Sequence, residues 1–176
     1  MAGERLTDKT ALDEQAGSGD LLMVVDVNDT TGSATGTSKK MDFKYVIQTD
    51  KISLSNAEVQ DLDSTEKTLV GALSGYMVTP YTVTVITTYA ASAESSNYNL
   101  YFGYEPLQVS LYWDYSSRFN GSVTTSNTYI FGGGQAGRGV CGTPTLNKAF
   151  SMWSSGAFNG GWTCDVYVTY AYTKVL

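Results

Sequence analysis

Apolar positions in this chain fall into short runs separated by polar, glycine-containing stretches, and alternation rather than helical spacing is the prevailing rhythm. Leu21 to Val25 is a continuous apolar run rich in β-branched residues, which predicts a strand buried on both faces. Asp26 to Thr37 has no large apolar side chain after Val27 and is rich in Asn, Asp, Ser, Thr and Gly, so a loop is expected, closed by Lys39 and Lys40. Met41, Phe43, Tyr45 and Ile47 then alternate with polar Asp42 and Lys44, the period of a half-buried strand. Two strands and a long loop cannot hold a core alone, so this segment is expected to complete its burial against a neighbour.

On either side of that segment the pattern changes. Residues 1–19 carry only Leu6, Ala11 and Leu12 as clear apolar side chains; a terminus that orders against a partner is expected in preference to a short helix capped by Thr7 or Asp8. After a short strand from Lys51, Ser55 followed three residues later by Glu58 is a capping box for a helical turn containing Val59 and Leu62, broken by Asp63 to Thr65. Thr68 to Leu73 returns to strand character. Beyond Gly75 the chain reads as strands: Tyr76 to Tyr89, with Tyr81, Val83, Val85 and, past a break at Ile86, Tyr89 as the apolar face against threonines; Asn97 to Tyr104; Leu107 to Tyr115; Ser122 to Phe131; and a closing strand. Glu105-Pro106 places at least one neighbouring strand on an edge. Asn120-Gly121 is a tight hairpin signal. In the closing strand Trp162, Cys164, Val166, Val168, Tyr170 and Tyr172 share one face. Roughly eight strands over about 100 residues predict a mainly β chain: a small N-terminal β segment, residues 1–50, then an antiparallel β-sandwich, jelly-roll-like, over residues 51–176, with little helix.

Charge supports that division. Of 17 acidic and 11 basic side chains, residues 1–67 hold 13 and 7, whereas residues 68–176 hold 4 and 4; 20 of the 22 aromatic residues lie in the second part. A net charge of −6 without a basic cluster argues against nucleic-acid binding. No run reaches the roughly 18 apolar residues that would cross a membrane. Met1 to Gln15 lacks the basic-then-apolar build of a secretory signal, so synthesis in a cytoplasm is expected. Cys141 and Cys164 stand alone, compatible either with two reduced, packed thiols or with a bond formed after release from the cell.

The chain contains no histidine, which removes the usual nucleophile–histidine sites and the His-based zinc enzymes. A pair of carboxylates could still hydrolyse a glycoside, but Glu94, Glu105, Asp114 and Asp165, the four acids of the second part, read as solvated loop and edge groups, and no enzymatic activity is expected. Gly132-Gly-Gly134-Gln-Ala-Gly137 satisfies a dinucleotide-binding spacing, yet Arg138 to Pro144 cannot open the required helix, so a surface loop is expected. Asp26, Asn28 and Thr30 alternate as calcium ligands do, but Thr31 and Thr37 stand where a calcium loop needs glycine and a bidentate acid. Asp26 and Asp29 are instead expected to fix the loop by bonds to its backbone. No cofactor or metal is expected. The rings of Trp113, Trp153, Trp162 and the tyrosines belong mostly to core or subunit interface, with a glycan contact expected, if anywhere, at Trp153 and Trp162 in a Gly- and Ser-rich stretch.

The run Asp20-Leu-Leu-Met-Val-Val-Asp26-Val-Asn-Asp29-Thr-Thr-Gly-Ser33-Ala-Thr-Gly36-Thr-Ser-Lys39-Lys40 closely resembles the N-terminal segment of many tailed-bacteriophage virion proteins of the tail-fibre, head-fibre and capsid-attached kinds. Leu54-Ser55-Asn56-Ala57-Glu58 through Leu62, with Ser64-Thr65, Thr68-Leu69-Val70 and the ending Asp165-Val-Tyr-Val-Thr-Tyr170, is similar to a small β-sandwich domain of phage structural proteins. The resemblance implies a virion component, assembled in the bacterial cytoplasm and docked through Leu21, Leu22, Val24, Val25, Asp26, Asp29, Lys39, Lys40 and Phe43. Its expected partners are further copies of itself, as a homotrimer, and the major capsid or another virion protein, with no nucleic acid or membrane. The rival expectation is a receptor- or carbohydrate-binding module that meets a host-surface glycan through loop aromatics.

Overall fold

The computed structural model describes residues 21–42, 46–90, 92–96, 98–104, 110–115, 126–132 and 145–174. The chain divides into two compact units, Met1–Val46 and Ile47–Leu176. In the first, β1 (Leu21–Asp26) pairs antiparallel with β2 (Thr37–Asp42), from Leu21 opposite Asp42 to Asp26 opposite Thr37. The second strand thus starts before Met41: cross-strand hydrogen bonds draw Thr37 to Lys40 into the ladder despite their polar side chains.

The second unit runs β3 (Gln48–Leu54), α1 (Asn56–Gln60), β4 (Lys67–Val70), β5 (Tyr76–Tyr89), β6 (Leu100–Tyr104), β7 (Ser110–Tyr115), β8 (Asn127–Gly132), β9 (Phe150–Ser154) and β10 (Trp162–Lys174). The division expected at residue 50 falls inside β3, whose residues Gln48 to Asp50 already pair with β10. Two four-stranded antiparallel sheets form, in the orders β3-β10-β5-β8 and β4-β9-β6-β7. Every connection except β6 to β7 passes from one sheet to the other, and the first and last strands lie side by side. That winding is a jelly roll, so the protein is mainly β with a β-sandwich as its larger unit.

Between the sheets the core follows the period of two. On β10 Trp162, Cys164, Val166, Val168 and Tyr170 point inward and are at most 4% exposed, meeting Val83 and Val85 of β5 and Phe102, Phe150 and Met152 of the facing sheet. Burial pushes the Cys164 thiol up to about 12. Ser55 and Glu58 close the expected capping box at α1, and Val59 is buried there. Tyr81, expected inward, is 44% exposed. A bulge sets Thr169 opposite Thr82 but Tyr170 opposite Pro80, so Tyr81 is the extra residue and the strand changes phase. β7 is an edge strand. The Glu105-Pro106 turn, the Asn120-Gly121 hairpin signal, the glycine loop beyond Gly132, Cys141 and residues 1–19 lie outside the described residues.

β9 was not legible as a strand. It falls within a Ser- and Gly-rich stretch and is buried at every position, so it has no alternation to show. Phe150 and Met152 join the core, while Trp153 lies on the other face against Tyr101 of β6, ring centroids 6.0 Å apart.

At one end of the jelly roll, α1 and the loops before β6 and β10 meet around a carboxylate. Glu94 is 0% exposed. It accepts hydrogen bonds from Ser96 N at 2.9 Å, Gly160 N at 2.8 Å, Trp162 Nε1 at 2.9 Å and Asn159 N at 3.1 and 3.2 Å. Asn56 Nδ2 donates to the carbonyls of Gly160 and Trp162, and Gly161 bonds the backbone of Ala90 and Ser92. Gly160 leaves no room for a side chain, because a Cβ would stand 2.9 Å from Glu94 Cα and 2.7 Å from Trp162 Cδ1. Burial acts to raise the Glu94 pKa, but the donors of Ser96, Trp162 and Gly160 outweigh it and hold the carboxyl below its ordinary 4.5. A depressed folded pKa contributes stability above the ordinary value that is lost as pH falls through the folded one. Urea unfolding between pH 7 and pH 3 should therefore show stability falling on the acid side. Glu94→Gln, which sets an amide N–H₂ against the same donors, should cost about 1–3 kcal/mol at pH 7 and flatten that acid limb; an unchanged limb would rule out the assignment.

Candidate docking ribbon

The β1–β2 ribbon is held by its own loop. Asp26 Oδ1 accepts Asn28 N at 3.0 Å, Asp29 Oδ1 accepts Thr31 N at 3.0 Å and Thr31 Oγ1 at 2.6 Å, and Thr37 Oγ1 accepts Gly32 N at 2.9 Å. The aspartates thus make the side-chain-to-backbone bonds expected of them. Lys39 Nζ stands 2.5 Å from Asp29 Oδ2. That ammonium, with the Thr31 bonds, holds the Asp29 carboxyl at about 2. Lys39, for which the sequence leaves open a solvated strand start or an acid on a partner, therefore has an acidic group of its own ribbon beside it. Gly36 makes the closure possible: its φ is +122°, and a Cβ there would stand 2.7 Å from Val25 Cγ1 and 2.8 Å from the Asp26 carbonyl.

Partners opposite each other in the ladder share a face. Leu22 and Val24 lie with Met41 and Lys39 on one, Met23 and Val25 with Lys40 and Ser38 on the other. Contrary to a strand buried on both faces, Leu22 is 37%, Met23 61% and Val25 58% exposed, with Val27 just beyond at 69%. The physical reason is the two-stranded sheet itself, over which none of the described residues forms a second layer. Leu22, Met23, Ser38, Lys39 and Lys40 line an open groove of about 350 Å³. Among the expected docking residues, Leu22, Val24, Val25, Asp26, Asp29, Lys39 and Lys40 gather on this ribbon, Leu21 opens β1, and Phe43 lies outside the described residues. Sequence reasoning left out Met23 and Val27, the two most exposed apolar side chains here, although strict alternation along β1 would have picked out Met23 with Val25.

The other candidates disperse. Trp153 and Trp162 are each 1% exposed, in β9 and β10, and cannot stack on a surface glycan. Glu94 is a buried loop anchor, Asp165 Oδ2 is 2.9 Å from Lys51 Nζ on the face of a sheet, and Glu105 lies outside the described residues. Among the described residues no three acidic or thiol side chains gather as metal ligands, and no helix is long and apolar enough to cross a membrane.

No family model matches the chain, and no curated protein matches it. Among solved structures, a chain from the crystal structure of Israel acute paralysis virus is similar at 10% identity and a TM-score of 0.31, with 94% of each chain covered. Another, from the native virion of Kashmir bee virus at acidic pH, has 10% identity, a TM-score of 0.29 and 96% of each chain covered. Likeness at that level carries no information on what this chain binds or assembles with.

Gly36→Ala should break the ribbon and leave the jelly roll intact. Amide exchange across residues 21–42 should rise to the rate of an unstructured segment, with the thermal midpoint of the second unit unchanged. Retained protection of Val24 and Val25 would contradict the close approach at Gly36.

Proposed function

We propose that this chain is a structural component of a tailed-phage virion, docked through the β1–β2 ribbon and presenting its jelly roll as a head fibre, decoration or short tail appendage. The observation that carries the reading is the ribbon's apolar side: Met23 and Val25 are 61% and 58% exposed on a two-stranded sheet, and Val27 just beyond it 69%, with no second layer over them among the described residues. Those side chains lie in the run, Asp20 to Lys40, that resembles phage virion segments. Docking would bury them against the capsid or another virion protein, and the open ribbon edges would add to a neighbouring sheet by main-chain hydrogen bonds. The homotrimer rests on the resemblance alone. No catalytic step, nucleic acid or membrane enters the proposal.

The test is incorporation. Full-length chain carrying Met23→Asp and Val25→Asp, and a chain lacking residues 1–46, should each accumulate folded in the infected-cell lysate while falling at least about tenfold in purified particles, the ratio set by roughly 1.4 kcal/mol of lost docking energy. Incorporation of both at the level of the unaltered chain would overturn the ribbon as the anchor.

A further inference from the structure

The chain enters the jelly roll at Gln48, opposite Tyr170, and β10 leaves it at Lys174, opposite Tyr76. The loops gathered around Glu94 stand at the other end. Two of them run antiparallel and are stitched together. Asn99 N donates to Ser155 Oγ at 2.8 Å and Ser155 N to the Asn99 carbonyl at 3.0 Å. Ser95 N donates to Asn159 Oδ1 at 3.0 Å and Asn159 Nδ2 to Ser95 Oγ at 3.0 Å. Between these pairs lies Tyr98, 41% exposed, its ring resting on Gly156 so closely that a Cβ there would fall 2.4 to 2.6 Å from three ring atoms. An aromatic ring is thus seated on a backbone and open to solvent. Ser155, next in chain to Gly156, and the cross-linked Ser95 and Asn159 of the same two loops are exposed as well.

We propose that Tyr98 and its Ser and Asn neighbours form a binding platform for a neutral sugar. The negative face of an aromatic ring attracts the C–H bonds on the face of a pyranose, and flanking hydroxyl and amide groups exchange hydrogen bonds with its hydroxyls. Neutrality follows from the residues present. Among the described residues of these two loops Glu94 is the sole ionisable carboxylate or amine, and it is buried, so nothing there pairs with an anionic saccharide. Glu94 is a positioning residue: it anchors both loops through Ser96, Asn159 and Gly160 and so fixes the Tyr98 ring. This site is independent of virion docking and of the buried Trp153 and Trp162.

The experiment is binding of the full chain to maltohexaose, cellohexaose, mannohexaose and chitohexaose by titration calorimetry at millimolar sugar. At least one should bind, and Tyr98→Ala should weaken it about tenfold or more, as removal of a central aromatic contact does. Gly156→Ala, which displaces only the far end of the Tyr98 side chain, should weaken the same sugar with little change in thermal midpoint. Tyr81→Ala, removing an equally exposed tyrosine on a sheet, should leave binding unchanged. Absence of binding to all four sugars, or binding that survives Tyr98→Ala, would overturn the platform.

Discussion

An apolar sheet face needs a second layer to keep it from water, and the two units of this chain meet that demand differently. In the jelly roll, each sheet is the other's cover: Val166 and Val168 on β10 and Phe102 and Phe150 on the facing sheet are all 0% exposed. The β1–β2 ribbon carries a continuous apolar run on one of its two strands, and among the described residues no second layer covers it. A loop fastened by Asp26, Asp29 and Gly36 gives it a defined shape, so its exposed side chains are presented rather than collapsed. A prepared apolar surface of this kind loses less entropy on docking than a segment that must fold at the same moment.

Polar groups at the jelly-roll end apart from the chain's entry are organised by a comparable economy. Glu94 has no cationic partner among its hydrogen-bond donors, and five N–H contacts from four residues stand in for one. Buried carboxylates are tolerated when fully hydrogen-bonded, and the bonds here tie two chain segments, residues 94–96 and 159–162, to one carboxylate. The loops that carry Tyr98 and Asn159 are therefore held by a rigid scaffold, the usual arrangement where loops serve recognition.

Much of the architecture could be read from the sequence because it rests on local signals. The alternation of β10 is uninterrupted from Trp162 to Tyr170, and Ser55 with Glu58 states the helix start outright. What escaped depends on tertiary context. β9 is central and covered on both faces, so Ser151 and Ser154 are as buried as Phe150 and nothing alternates. Tyr81 changes face because of a bulge one residue long. Lys39 and Lys40 look like the end of a loop but are ladder residues opposite Val24 and Met23. Glu94 reads as a solvated loop acid, since the N–H groups that bury it come from residues 96, 159, 160 and 162. The run Leu21 to Val25 was legible as apolar; that Met23 and Val25 face water could not be, because exposure depends on what lies over the sheet rather than on the strand's own residues.

The central claim is that the ribbon docks the jelly roll on a virus particle, and immunogold labelling of intact purified virions tests it most directly, with serum raised against residues 68–176. Gold at a fixed position on head or tail is the predicted result. Unlabelled particles, with the protein confined to the soluble lysate, would contradict the account.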